Sequence, residues 1–396
     1  MKILVINAGS SSIKYQLFEM PAEKVLAKGL LEKIGEESSQ LNHFSDSKEH
    51  KIRTKVADHS AGMKLILDTL VNPQTGVIRN VSEISAVGHR VVHGGEEFTA
   101  SAVIDDRVIA SIEKFADLAP LHNPPNLTGI KAARKGLPNA LQVACFDTAF
   151  HTSIPKVAYI YALPYEIYEK FRVRKYGFHG TSHSYVAKRA AKLLGGNPEQ
   201  FNIITCHLGN GCSITAVKEG KSVDTSMGLT PLEGLVMGTR TGDFDPAIIF
   251  YLSEKGYGID ELNNMCNKKS GLLGISGVSN DMRNLRDQAL AGNERAKLAF
   301  DIFCYRIKKY VGTYTAVLGR LDALVFTGGI GENAPDARAQ VCENLEQIGI
   351  KIDPAANEKT IRKEGLISSE GSRVKVYAIP TNEELAIAQD TYRLAK

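Results

Sequence analysis

Short apolar runs and alternating segments open the chain. Residues 3–6, Ile-Leu-Val-Ile, form an unbroken apolar run that predicts a buried strand. Asn-Ala-Gly-Ser-Ser-Ser at 7–12 is turn chemistry. Ile13, Tyr15 and Leu17 then alternate with Lys14 and Gln16, a half-buried strand, and residues 25–31 supply a third. Helical periodicity follows over 63–70, and over 108–118 behind an Asp105/Asp106 cap. Asn123 is read as the cap of a third helix, with Pro124 at its first position. Residues 141–147 read as a strand ending in Asp147. The segment 151–176, with Pro155, Pro164 and several tyrosines, reads as irregular and places a domain boundary near residue 150.

The second half repeats the opening. Residues 202–206 predict a strand, His-Leu-Gly-Asn-Gly at 207–211 a glycine turn, 212–217 a second strand, and 218–221 a turn into a third. A shift of 200 lays Ile3 on Ile203, Ile6 on Cys206, Gly9 on Gly209 and Tyr15 on Thr215, which points to a duplicated domain. Beyond it, Asp245-Pro246 starts a helix. An amphipathic helix spans about 293–320 with Phe300, Phe303, Ile307, Tyr310, Val311, Tyr314 and Leu318 as its apolar positions. Residues 321–327 form a strand ending at Gly328-Gly329, and 374–379 a late strand. Thr381-Asn382-Glu383-Glu384 reads as a capping box opening the final helix.

Composition narrows the class. A chain of 396 residues predicts two or three domains. Its 48 basic and 44 acidic side chains leave +4, too little to draw it to nucleic acid or an anionic membrane. With 43% hydrophobic and 23% charged residues it is globular. The longest apolar runs fall far short of the ~18 residues that span a bilayer, and the four after Lys2 are too few for a signal peptide. Six scattered cysteines without a CxxC pair read as reduced thiols in a cytosolic protein.

Three glycine turns, at 7–14, 207–211 and 328–333, each follow a strand. Backbone N–H groups and hydroxyls in such turns can face an anion, and Lys14 adds a cation at the first; each turn alone is equally an ordinary polar hairpin. No Walker-type GxxxxGK[ST] is present. Gly329-x-Gly331-x-x-Ala334, with Asp353 beyond it, matches a dinucleotide fingerprint, but only about one βαβ unit remains after it. Arg90 lies in His-Arg-Val-Val-His-Gly-Gly (89–95) and Arg240 in Gly-Thr-Arg-Thr-Gly-Asp (238–243). Arginine is the side chain for bidentate grip on carboxylate or phosphate, and the glycines around Arg240 permit close backbone approach. His179 and His183 sit beside glycines, with no zinc-ligand spacing. Asp147 is an acid at a strand end or a turn former, and Glu383 complements a helix dipole.

Taken together, segments 5–14, 88–95, 146–150, 177–180, 207–211, 238–243, 328–333 and 380–384 resemble those of the acetate kinases, the acetokinase family of short-chain acyl kinases. The resemblance covers nearly the whole chain. It implies two duplicated ribonuclease H-like α/β domains of the actin/Hsp70/sugar-kinase superfamily. An N-terminal domain at 1–150 would have the final helix, 382–396, packed back on it, and a C-terminal nucleotide-binding domain would occupy 151–381. It further implies a cleft that closes on substrates, a cytoplasmic homodimer, and the reaction ATP + acetate ⇌ ADP + acetyl phosphate with Mg2+, or Mn2+ in its place. By the same resemblance Asp147, His179 and Arg240 are catalytic. Arg90, Val92, Leu121, Phe178 and Pro231 bind the acyl substrate. Lys14, His207, Leu208, Gly209, Asn210, Gly211, Asp281, Met282, Arg283, Gly329, Ile330, Gly331, Glu332 and Asn333 bind the nucleotide, and Asn7 and Glu383 the metal. Phosphoryl transfer needs charge stabilisation and in-line placement more than covalent chemistry. Acetate, with a pKa of ~4–5 by analogy with Glu, has no proton to give at pH 7, so Asp147 is expected to position groups rather than act as a base. The competing readings are a propionate or butyrate kinase, a chaperone or filament ATPase of the same fold class, and a dehydrogenase.

Overall fold

Two sheets with one shared strand order form the framework. A computed structural model describes residues 1–46, 48–120 and 122–396. The chain divides into two units, Met1–Phe150 with Asn382–Lys396, and His151–Thr381.

The first unit contains β1 (Lys2–Ala8), β2 (Ser12–Glu19), β3 (Lys24–Glu32), β4 (Ser39–Ser45), β5 (Lys48–Thr54), β6 (Ile84–Val91), β7 (Ala102–Val103) and β8 (Leu141–Phe146). Its helices are α1 (His59–Val71), α2 (Asp106–Lys114), α3 (Asn123–Gly136) and the C-terminal helix Glu383–Ala395. The sheet order is β5-β4-β3-β2-β1-β6-β8-β7. β1 runs antiparallel to β2 and β2 to β3, while β1–β6 and β6–β8 are parallel.

The second unit contains β9 (Asn202–Leu208), β10 (Cys212–Lys218), β11 (Lys221–Thr225), β12 (Ala323–Thr327), β13 (Gly365–Leu366) and β14 (Lys375–Ala378), in the order β11-β10-β9-β12-β14-β13. Its helices are α4 (Lys156–Tyr159), α5 (Tyr165–Phe171), α6 (Gly180–Leu193), α7 (Ala247–Glu254), α8 (Ile259–Lys268), α9 (Gly271–Ser276), α10 (Met282–Leu290), α11 (Glu294–Leu318), α12 (Gly328–Asn333), α13 (Pro335–Cys342) and α14 (Pro354–Lys359). Here too the first strand is antiparallel to the second and the second to the third, and the first, fourth and fifth are parallel. The order β3-β2-β1-β6-β8 thus recurs as β11-β10-β9-β12-β14, so the chain is a duplication of one α/β arrangement.

The unbroken apolar run at 3–6 has a direct cause. Leu4 and Ile6 pack with Met63, Ile66, Ala132 and Ala133 of α1 and α3, whereas Ile3 and Val5 pack with Ile387 and Ala388 of the C-terminal helix. Both faces of β1 are covered, so neither can be polar. Gly88 on β6 permits this cover: a Cβ there would stand 2.4 Å from Thr391 Oγ1 and 2.6 Å from Ile387 Cγ2 of that helix.

Several local expectations need correction. The 200-residue overlay holds along the first strand but slips by one in the second. Tyr15 pairs with Ile6, and its counterpart opposite Cys206 is Ile214, not Thr215. The cause is turn length: Gly9 N–H bonds to Ser12 O, Gly209 N–H to Gly211 O. The final helix is capped by Asn382, whose side chain accepts from Leu385 N, and Thr381 instead bonds to Ser182, so there is no capping box. His122 occupies the N-cap of α3, while the Asn123 side chain accepts from His93 N and donates to His93 O. Segment 151–176 contains the short helices α4 and α5. The β4–β5 hairpin has no counterpart in the sequence reading. Its outer strand, β5, lacks a single fully buried residue, so period-two burial leaves no signal there.

All six cysteines are free and buried. Among the described residues no helix is long and apolar enough to cross a membrane.

Candidate active site

Parallel strands in both units end in polar residues, the position where open α/β sheets collect ligand-binding groups. In the first unit these are Asn7 near the end of β1, Arg90 near the end of β6 and Asp147 just after β8. The β1–β6 register aligns Ile6 with His89, which makes Asn7 and Arg90 the next pair along. Asp147 N–H bonds to Val91 O at 2.9 Å, so the backbone fixes the carboxylate beside β6.

Arg90 grips Asp147 with two nitrogens, Nη2 at 2.5 Å and Nε at 3.3 Å, and its Nε is 3.8 Å from Glu383 Oε2. The Asp147 side chain is 2% exposed. Burial works against the charged guanidinium, but the Asp147 and Glu383 carboxylates outweigh it and hold the Arg90 pKa above its usual range. Glu383, the first residue of the C-terminal helix, is pushed up to about 7: burial acts first, and the nearby Asp147 and Glu384 charges add to it against the pull of Arg90. Lys14 on β2 ion-pairs with Glu384. Asn7 is half-buried, and its side chain makes no hydrogen bond among the described residues. Val92 is buried, its N–H donating to Asn126 Oδ1 at 3.1 Å. Leu121 lies outside the described residues.

The carboxylate crowd and the unengaged Asn7 amide offer hard oxygen donors and surplus negative charge. That donor set fits Mg2+, which usually takes one or two protein carboxylates and completes its shell with water and substrate phosphates.

In the second unit, His207 lies near the end of β9, and residues 209–211 turn into β10. His179 stands at the N-cap of α6 in the left-handed region, φ 57°. A non-glycine residue there is uncommon and clusters at functional sites. Its Nδ1 lies 2.8 Å from Ser213 Oγ, and its ring stacks on His207 at 4.3 Å between centroids. Ser182 Oγ lies 2.8 Å from His207 Nδ1. Arg240 converges on the same place. A Cβ built on Gly211 would stand 3.4 Å from Arg240 Nη1 and 3.6 Å from His179 Nε2. Arg240 is half-buried, and burial lowers its pKa. Its protein contacts are Pro231 O at 3.2 Å and Met237 Sδ at 3.6 Å, and it has no carboxylate partner among the described residues. A desolvated guanidinium facing only neutral acceptors is an anion receptor.

The remaining predicted positions lie around this turn. Leu208 is buried beneath it, and Asn210 Oδ1 accepts from Asn280 at 3.0 Å, next to Asp281. Asp281 caps α10 and holds Arg283 at 2.7 Å, a bond that brings Asp281 down to about 2; Met282 is buried between them. The glycine turn at 328–333 is the short helix α12, and Thr327 aligns with His207 across β12–β9. Glu332 Oε1 accepts from Gly328 N and Thr381 N, Asn333 donates to Gly329 O, and Ile330 is half-buried. Gly331 O accepts from Arg338 Nη1 at 2.8 Å, a fully buried arginine that also holds Asn357 and Thr360. Phe178 is buried, its carbonyl accepting from His151. Asp353, the acid of the dinucleotide fingerprint, is spent capping α14 through Ala355 N and Ala356 N, which removes the dehydrogenase reading.

Sequence reasoning notes His183 only as a histidine beside glycines and Glu384 only as part of a capping segment, and it passes over Ser213. His183 is one helical turn from His179, a spacing that could have flagged it; nothing in the pattern marks Ser213.

Comparison with known proteins agrees with this chemistry. The chain is 57% identical to the acetate kinase of Thermotoga maritima over 399 aligned residues, covering 100% of this chain and 99% of that one. The crystal structure of Porphyromonas gingivalis acetate kinase superimposes with a TM-score of 0.97 at 48% identity over the full length of both chains. A propionate kinase from Francisella tularensis superimposes with 0.91 at 45% identity, over 99% of each. Residues 2–389 match the model of the acetokinase family, and the chain belongs to that family.

Proposed function

We propose that the protein is an acetate kinase, an enzyme that transfers the γ-phosphoryl group of ATP reversibly to acetate, giving ADP and acetyl phosphate. Arg240 carries this reading: it is a desolvated cation without a carboxylate partner, beside His179 at a glycine turn. Full-length similarity to acetate kinases supports it. In fold we assign each unit to the ribonuclease H-like class, on the strand order they share.

Arg90 holds the carboxylate of acetate, with Asp147 keeping the guanidinium aligned. To Val92, Leu121, Phe178 and Pro231 we assign recognition of the methyl group. Lys14, His207, Leu208, Gly209, Asn210, Gly211, Asp281, Met282, Arg283, Gly329, Ile330, Gly331, Glu332 and Asn333 bind the nucleotide. Asn7 and Glu383 would hold Mg2+, or Mn2+ in its place, and the ion would supply positive charge against the phosphates. Arg240 and His179 donate to the equatorial oxygens of the phosphoryl group in flight, where such charge stabilisation has its largest effect. No base is needed, because acetate arrives ionised.

Hydroxylamine trapping of acyl phosphate, with ATP and a series of short acids, tests this reading. Acetate is expected to give the highest kcat/KM. Propionate should trail it modestly, since one methylene in an apolar pocket is worth ~1–3 kcal/mol. A propionate kinase among the structural relatives keeps that acid as the second candidate. ATP hydrolysis without trapped acyl phosphate would mark a chaperone or filament ATPase instead.

We also assign the protein as a cytoplasmic homodimer. Free thiols at all six cysteines suit a reducing compartment. Helix α7 has no buried residue, yet Phe250 is 70% and Tyr251 58% exposed, and nearby Ile259 is 74% exposed. An apolar surface of this kind marks an interaction face. Sedimentation equilibrium should find a dimer, and the pair Phe250→Asp/Tyr251→Asp a monomer; a monomeric parent protein would contradict the assignment.

A further inference from the structure

The hydrogen bonds behind His179 form a directed chain. Ser213 Oγ on β10 sits between two imidazoles, 2.8 Å from His179 Nδ1 and 2.7 Å from His183 Nε2. His183 Nδ1 in turn lies 2.7 Å from Thr205 Oγ1 on β9. Thr205, His183 and Ser213 are all fully buried. Burial, helped by the neighbouring His151 and His207 rings, pushes the His183 pKa well below its usual value, so this ring is neutral and carries one proton.

One hydroxyl proton cannot serve two acceptors, so the chain runs in one of two directions unless both rings donate to Ser213. That third arrangement leaves the buried Ser213 proton with no partner among the described residues, and it is costly. In the first, Thr205 O–H donates to His183 Nδ1, His183 Nε2–H donates to Ser213, and Ser213 O–H donates to His179 Nδ1. Every proton is used. In the reverse direction His179 Nδ1–H starts the chain and His183 Nδ1–H ends it on Thr205. The Thr205 hydroxyl proton is then left in a fully buried place, where it has no other side-chain hydrogen bond among the described residues. A buried unsatisfied donor is costly, so the first direction prevails.

We propose that Ser213, oriented by His183 and Thr205, is a positioning residue that fixes the tautomer of His179. It keeps Nδ1 an acceptor and the proton on Nε2, the nitrogen next to Gly211 and Arg240. This deepens the proposed function and rests on it for the role of Nε2–H, which becomes a donor for phosphoryl oxygen. The opposite tautomer would aim a lone pair at those oxygens. Among the groups facing His179 are Arg240, the stacked His207 ring and, through Ser213, His183. Protonating His179 at Nδ1 either reverses the chain or strands the Ser213 proton, so the chain disfavours the charged ring.

Nitrogen-15 NMR of histidine-labelled protein reads the tautomer without any need for activity. The parent protein is expected to show His179 as the Nε2–H form. Thr205→Val keeps the shape but removes the proton that sets the direction, and should give a mixture of tautomers. Ser213→Ala should raise the His179 midpoint and lower kcat about 10-fold, as losses of an orienting partner do, with KM for ATP and acetate nearly unchanged. Ser213→Thr, which restores a hydroxyl, should recover most of the rate. An Nδ1–H form in the parent protein, or a tautomer and midpoint unmoved in both Thr205→Val and Ser213→Ala, would overturn the proposal. Trapping of acyl phosphate by the parent protein tests the underlying function separately.

Discussion

Replacing Arg240 with alanine is expected to lower kcat by about 10³-fold, the scale for removing an arginine from a transferring phosphoryl group. At 1.36 kcal/mol per tenfold, that is about 4 kcal/mol of transition-state stabilisation. The size follows from where the charge sits. Arg240 is partly desolvated, and among the described residues its guanidinium bonds to Pro231 O and Met237 Sδ. It has no carboxylate partner among the described residues, so its field is not already neutralised. For the same reason its removal breaks no ion pair, and the folded protein should lose little stability. KM for acetate and for ATP should change far less than kcat, because the charge it meets develops during transfer. Arg240→Lys should recover little, since an ammonium cannot reproduce the planar fork. Steady-state kinetics with a thermal melt of each variant checks this. A loss below tenfold, or one matched by loss of folded protein, would contradict the role.

Asp147→Asn is the second large effect. Asp147 is buried and takes two nitrogens of Arg90, while Glu383 stands 3.8 Å from Arg90 Nε. An amide keeps the volume but removes the charge that aligns the guanidinium. Breaking a desolvated pair of this kind typically costs about 3–5 kcal/mol, roughly 10²–10⁴-fold if expressed in the rate. Arg90 then has only the Glu383 side to lean on, so the Mg2+ concentration for half-maximal rate and the KM for acetate should both rise. No limb of the pH–rate profile should disappear, while the Glu383 midpoint should fall because the Asp147 charge no longer raises it. Kinetics at several Mg2+ concentrations and pH values separates this from base catalysis. Normal Mg2+ and acetate dependence with loss of one limb of the profile would show that Asp147 removes a proton.

Much of the framework was legible because burial left strong patterns. The runs at 3–6 and 323–326 are apolar throughout, since both faces of β1 and all of β12 are covered. The duplication was visible because the strand–turn–strand order heads each unit. Its register was not, because a turn one residue shorter leaves no mark until strands are paired. Helix caps shifted by one residue for a similar reason: Asn123 and Thr381 are good capping side chains, but tertiary partners claim them. The first-unit cluster was partly legible. Asp147 ends a predicted strand and Arg90 lies in a glycine-flanked motif, but the contact between them needs the β6–β8 pairing. Ser213 and Thr205 were invisible, because their importance lies in which ring each hydroxyl faces.

Direct passage of a phosphoryl group from nucleotide to carboxylate is the event on which every role assigned above depends. Phosphorus-31 NMR of the protein with ATP, acetate and Mg2+ reads that passage bond by bond. Acetyl phosphate and ADP should appear together in equal amounts, and addition of ADP should drive the signal back to ATP. Release of inorganic phosphate in step with ADP, with no acetyl phosphate at any time, would contradict it.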